Sequence, residues 1–499
     1  MASDDRPNIL LVVSDQERSR GWIPSHLRLP ARQRLIDEGL EFRSYYTHSS
    51  PCSPSRASLF TGLHVPQHGV TDNVIFPPQH ELDPLVPTIG SRLRAAGYRT
   101  SYVGKWHLSH AEQPDMESYG FSDWTGNDRH YMGWAGTGWQ FDPVIAEQAV
   151  NWLGHNGASG TGPERQPWLL TVALVNPHDV MWFPVDQPDY QAAHPESVQF
   201  FRDLLRLAAW KDDEPIPLFT EEIPRVFDKL PENFDDDLFT KPAVHRQWGH
   251  EQNNSFWGTI ERDDTDSWLR HLDYYWRLHQ AADESLARVL AALDASGAAD
   301  DTVVVFTSDH GDMCGSHGLR AKGPFLYEEI MHIPLYMRAP GRLAAGATTD
   351  ALASHVDLAR TLVALGGGST EGMAGSDLSP VLADPTSRGP VEAVMFAQDQ
   401  AWYGSCVPLR YAMRGYYDGR EKYARYYGVG GGYDQIGQPT PYPKRVDVDS
   451  AFEDFDHEWY DLQEDPHELV NLANDRSRRR ELRERFAHLL ELEAAHFAQ

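Results

Sequence analysis

Cysteine is scarce: Cys52, Cys314 and Cys406 are the only three in 499 residues. So sparse and odd a set cannot build a disulfide framework, and the fold must rest on its core. Long apolar runs are missing as well. None approaches the ~20 residues needed to span a bilayer, so no membrane partner is expected. Positive charge is also in deficit, with 44 Lys and Arg against 73 Asp and Glu and a formal net charge of −29. A surface of that sign repels nucleic acid and anionic membranes alike. Much of the surplus sits in runs such as Asp212-Asp213-Glu214 and Asp235-Asp236-Asp237, which read as solvated faces. Residues 1–7 have neither the basic nor the apolar region of a secretion signal, and the expectation is a cytoplasmic protein.

What is present is core material: 41% of residues are hydrophobic and 11% aromatic, and the length suits one large domain plus a smaller one. Apolar runs at 8–13, 168–175 and 302–308 have the length and continuity of buried parallel strands. A further strand is expected at 98–103 and another at 333–337. Helices are expected at 31–39, 88–97, 142–154, 268–296 and 477–498, several with a glycine stop. Residues 186–266 show little period and read as an insertion over the active-site face. The Pro/Ser/Gly-rich stretch 366–390 reads as a linker, and 411–415 with 421–426 as a hairpin. The expected domains are 1–375 and a sheet-and-helix unit at 391–499.

The chemistry gathers where these strands end, the place where open α/β sheets bind ligands. The central string is Ser50-Pro51-Cys52-Ser53-Pro54-Ser55-Arg56. Pro54 suits a first helical turn, which places Cys52 at a helix N-terminus where N–H groups favour an anion. Arg56, one turn on, can fork onto sulfate, phosphate or carboxylate oxygens. Asp15-Gln16 closes the first strand, Gly104-Lys105-Trp106-His107 the strand at 98–103, Asn176-Pro177-His178 the strand at 168–175, and Asp309-His310-Gly311-Asp312 the strand at 302–308. Each has an ordinary structural reading when taken alone: a buried thiol, a turn aspartate, a surface lysine. The aromatic, glycine-rich stretch 124–139, which includes Trp134, reads equally as core packing or as a pocket wall.

Taken together and in this order, the motifs resemble those of the type I sulfatases: Cys-x-Pro-Ser-Arg at 52–56, Gly-Lys-Trp-His at 104–107, Asp-His-Gly at 309–311, and a C-terminal signature at 458–472. The resemblance implies an alkaline-phosphatase-like α/β/α sandwich with a smaller C-terminal α+β domain. It implies hydrolysis of sulfate monoesters, with Cys52 oxidised to formylglycine by a formylglycine-generating enzyme. A divalent metal would be held by Asp15, Gln16, Asp309, His310 and the group derived from Cys52. Calcium is the first expectation for the metal, with manganese or magnesium as alternatives. Lys105, Lys322 and Arg56 would neutralise the ester oxygens, His178 with Lys322 would protonate the departing alcohol, and His107 would take a proton from the aldehyde hydrate. Asn73, Trp134 and His317 are candidates for the substrate surroundings, and a homo-oligomer is possible.

Gln16 stands where many sulfatases carry a second aspartate. An Asp-Gln plus Asp-His set also fits the phosphonate monoester and phosphodiester hydrolases of the superfamily, whereas Lys105 and His107 favour sulfate. Choline-sulfatase-like enzymes are compatible with both. The alternative from another class is an anion-binding protein whose Cys52 is never converted.

Overall fold

The computed structural model describes residues 6–74, 79–110, 115–124, 133–158, 166–196, 199, 219–253, 257–399, 410–428 and 446–497. Residues 125–132 of the aromatic stretch, 200–218 of the insertion and Cys406 lie outside these.

The main sheet has seven strands: β1 (Asn8–Asp15), β2 (Leu40–Phe42), β4 (Arg99–Gly104), β5 (Trp168–Pro177), β6 (Thr302–Ser308), β7 (Leu335–Arg338) and β8 (Ala347–Thr349), in the order β4-β5-β1-β6-β7-β2-β8. The four strands from β4 to β6 are parallel, and β7 runs against β6. A short parallel pair, β3 (Tyr45–Tyr46) with β9 (Ala353–Ser354), lies apart from it. Alternation along β1 sends Ile9, Leu11 and Val13 to one core and Leu10 and Val12 to the other. The first core is covered by α2 (Cys52–Thr61), α3 (Ile89–Ala95) and α7 (His355–Leu365), the second by α1 (Pro30–Glu38), α4 (Thr137–Asn156) and α6 (Thr265–Ser296). Helix α5 (Ala243–Asn253) lies within the expected insertion. The result is an α/β/α sandwich, the architecture that the resemblance implies.

A second sheet, antiparallel, orders β10 (Val394–Gln398), β11 (Ala412–Tyr417), β12 (Glu421–Tyr427) and β13 (Asp456–Asp461) consecutively. One face packs Met395, Tyr423 and Trp459 against Leu482 and Leu489 of α8 (Arg479–His496). The other meets Phe325, Tyr327 and Ile330 of the main body. Lys422 is buried across this junction, 2.6 Å from Glu328 and 3.1 Å from Glu468.

Two elements depart from expectation. Helix α4 begins five residues earlier than the 142 expected, because the Asp179 carboxylate accepts from the N–H groups of Gly138 and Trp139 (3.2 and 2.8 Å), a cap supplied from another strand end. Residues 366–390 are not a free linker. Met373, Leu378 and Val381 join the first core, and Ser376 N–H donates to Asp357 at 2.7 Å. Their turn-rich composition marks bends in a packed segment.

Candidate active site

Strands β1 and β6 are in register, Ser14 opposite Ser308, so Asp15 and Asp309 emerge side by side. Gln16 then turns through φ +69°, rare for a residue with a side chain, and its N–H donates to Asp309 Oδ1 at 3.0 Å. Helix α2 begins at Cys52 and stops at Gly62 with φ +67°, as the sequence predicts. Its first turn is tied down by the Asn73 side chain, whose oxygen accepts from Ser53 N–H at 3.1 Å.

Arg56 corrects one expectation. Its guanidinium does not fork onto an open anion site but onto the two carboxylates, Nη2 to Asp15 Oδ2 and Nε to Asp309 Oδ2, both at 2.9 Å. Nη1 donates to the Lys105 carbonyl at 3.0 Å. Two carboxylates buried side by side demand a cation between them, and the planar fork meets both at once. Arg56 thus positions the two acids, with its guanidinium committed to them and to the Lys105 carbonyl.

Gly104 (φ +94°) ends β4 where a Cβ would lie 2.0 Å from the Ala173 carbonyl, so the strand can deliver Lys105 only through glycine. Lys105 Nζ lies 2.6 Å from Asp15 Oδ2 and 3.7 Å from Cys52 Sγ. His310 Nε2 is 3.3 Å from the same sulfur, and Asp15 Oδ1 is 3.7 Å away. His178, just beyond β5, places Nε2 2.7 Å from Lys322 Nζ, which also donates to Gln16 Oε1 at 2.5 Å. Cys52, Asp15, Lys105, Asp309 and His310 are fully buried, while Lys322 keeps 6% and His178 4% exposure, so the approach lies on the side of those two.

The charges shape the protonation. Burial would raise Asp15, but Lys105, His178, Arg56 and Lys322 together hold it well below the usual carboxylate range. Burial and Asp15 work to raise the Cys52 thiol, yet Lys105, Lys322 and His310 bring it below its ordinary value. Burial, reinforced by nearby lysine, pushes His107 and His178 well below the ordinary imidazole value, so both are neutral bases.

Trp134 is buried 6.0 Å from Trp182. Its neighbour Gly133 lies so close to His178 that a Cβ there would meet the ring at 2.5 Å. His317 is not brought to this cluster. Its Nδ1 is 2.7 Å from Asp236, and its ring stacks on Tyr327. Sequence reading left two groups without a role. Tyr275 of α6 donates to the Gln16 carbonyl at 2.6 Å, but nothing sets it apart from its aromatic helix neighbours. Asp312 accepts from the Gln16 amide at 2.5 Å, and its place in the Asp-His-Gly-Asp string was the only signal.

Asp15, Cys52, Asp309 and His310 bring one ligand atom each within 4.8 Å of one another. Two carboxylates, a sulfur and an imidazole, all buried, are a donor set that fits a divalent cation.

Carboxylates, lysines and neutral histidines gathered around parallel strand ends form a buried polar site suited to an anionic ester on an α/β/α sandwich. Comparison makes the class specific. The sulfatase family profile matches residues 7–368, and the chain belongs to the sulfatase family of sulfuric ester hydrolases. The uncharacterized sulfatase YidJ of Escherichia coli (strain K12) is 30% identical over 378 residues, 72% of this chain and 68% of that protein. The choline-sulfatase of Rhizobium meliloti (strain 1021) is 25% identical, across 94% of this chain and 83% of its own. The phosphonate monoester hydrolase of Agrobacterium radiobacter shares the fold, with a TM-score of 0.68 at 21% identity, covering 98% of this chain and 96% of that one.

Proposed function

We propose that the protein hydrolyses a small sulfate monoester at the pocket around Cys52, with that residue converted to formylglycine. The observation that carries this is the convergence of Lys105, His310 and Asp15 within 3.3–3.7 Å of Cys52 Sγ. When present, the hydrated aldehyde supplies an anchored nucleophile, and a divalent cation held by Asp15, Gln16, Asp309 and His310 withdraws charge from the ester. Lys105, fixed by Asp15, offers its remaining N–H bonds to an ester oxygen beside position 52. The Lys322–His178 pair shares one proton and delivers it to the departing alcohol on the pocket's open side. His107, a neutral imidazole amid the same charges, accepts the proton released when sulfate leaves. Arg56 forks onto both acids and offsets part of the cost of burying them together. Part of the insertion serves this site, since Trp248 Nε1 of α5 donates to the Lys322 carbonyl at 3.0 Å.

Gln16 favours a second reading, hydrolysis of phosphonate monoesters or phosphodiesters, which are likewise singly charged tetrahedral esters. Steady-state kinetics with an aryl sulfate, an aryl phosphonate and an aryl phosphodiester separates the two, on protein whose Cys52 peptide has been mapped for conversion. A kcat/KM preference for the sulfate is expected. A preference for the phosphorus esters would replace this reading with the second, and an unconverted Cys52 in an inactive protein would leave only anion binding.

A further inference from the structure

Glutamine is an awkward cation ligand because its two ends differ. The oxygen can coordinate a cation, the NH2 cannot, and a half-turn of the last torsion exchanges them. The Gln16 backbone is held, its N–H by Asp309 and its carbonyl by Tyr275, so this torsion is the freedom left to settle. Two groups of opposite character bracket the amide. Lys322 Nζ, which has only donors, meets Oε1 at 2.5 Å. Asp312 Oδ2 accepts from Nε2 at 2.5 Å, while its Oδ1 accepts from Cys314 N–H at 2.7 Å. Asp312 is completely buried, with both oxygens committed.

We infer that Asp312 is a positioning residue, whose work is to hold the Gln16 amide with its oxygen turned to the cation and its NH2 turned away. This rests on the reading that Asp15, Gln16, Asp309 and His310 hold a divalent cation. A carboxylate at position 16 would need no such partner, because its two ends are alike, and a second carboxylate at 312 would repel it. Asp312 therefore belongs with a glutamine at position 16 and is of no use to an acid there.

Asp312→Asn tests this with almost no change of shape. The Cys314 N–H still demands the oxygen of the new amide, so its NH2 faces Gln16. Two NH2 groups then face each other, and relieving that clash turns the Gln16 oxygen toward position 312, away from the cation and from Lys322 Nζ. Adding Gln16→Glu restores the match, because a carboxylate accepts from that NH2 and still offers oxygen to the cation. The measurements are metal content of the full-length protein as isolated, by elemental mass spectrometry, and its release to EDTA, with circular dichroism as a check of fold. Asp312→Asn should weaken metal retention about 10- to 100-fold, the range found when a ligand's hydrogen-bond partner is removed. The double variant should return to near the wild-type level. Unchanged retention in Asp312→Asn overturns the inference, as does a double variant that fails to recover, since a merely structural role would not be rescued at position 16. If Asp312→Asn does not fold, the double variant decides alone: it must fold and keep metal. A wild-type protein without bound metal would instead refute the underlying reading of the site.

Discussion

At the scale of single residues, the site is organised by one guanidinium. Arg56 is fully buried and reaches Asp15, Asp309 and the Lys105 carbonyl together, so two acids and a lysine depend on its place. Removing one partner of a buried ion pair leaves charge without compensation, typically at a cost of about 3–5 kcal/mol. Arg56→Ala should therefore lower stability to urea by about that amount, and Arg56→Lys should recover only part, because an ammonium cannot span both carboxylates. Equal stability of Arg56→Lys and wild type would show that the fork does not matter. The string 52–56 placed this arginine one helical turn from Cys52. That its charge is turned to Asp15 and Asp309 was not legible there, because those acids come from strands remote in sequence.

At the scale of elements, the joint between β5 and α4 places His178. Asp142, inside α4, accepts from Val175 and Asn176 N–H at 2.7 and 2.9 Å, while Asp179 returns the favour by capping the start of α4. Strand end and helix start thus fix each other, with His178 between them. A buried N–H left without a partner costs about 1–3 kcal/mol. Asp142→Ala frees two, so a destabilisation of about 2–6 kcal/mol is expected in thermal unfolding, together with a fall in kcat larger than any rise in KM. A variant that loses stability but keeps full kcat would detach this joint from catalysis. The apolar run of β5 and the helical period of α4 were readable. Their mutual capping was not, since aspartate in a helix interior carries no mark of the strand it serves.

At the scale of the molecule, buried histidines set the response to acid. Burial holds His48, His245 and His279 at about 4 and His68, His271 and His355 at about 3. Below about 6.5 the unfolded chain takes up these protons and the native one does not, so stability is intact above that pH and is lost as pH falls toward 4. Buried acids oppose this. Burial raises Asp186 and Asp357 to about 6 and Asp179 to about 7, and Glu468 is also raised. The native state keeps those protons above the usual carboxylate range, where the unfolded chain releases them, and stability falls as pH rises through it. These histidines outnumber these acids, so the melting temperature should be highest near pH ~6.5, dropping clearly by pH ~5 and mildly toward pH ~8. A profile flat between pH ~5 and ~7 would contradict the assignment of neutral buried imidazoles.

The sequence by itself determined the buried strands and the motifs at their ends, and the family resemblance that those motifs carry implied the layered fold. Continuous apolar runs are local consequences of how strands bury both faces, and strand ends mark where ligands gather whatever the details. It also placed Cys52 at a helix start, because Pro54 and Gly62 act over a few residues. The tertiary structure decided who touches whom: Arg56 on the acids, Lys322 on His178, Asp312 on Gln16, and His317 with Asp236 away from the cluster. It also showed that the turn-rich 366–390 inserts Met373, Leu378 and Val381 into the first core. These pairings join residues far apart in the chain. Buried polar groups must be satisfied collectively in three dimensions, and no local pattern records which distant partner satisfies which.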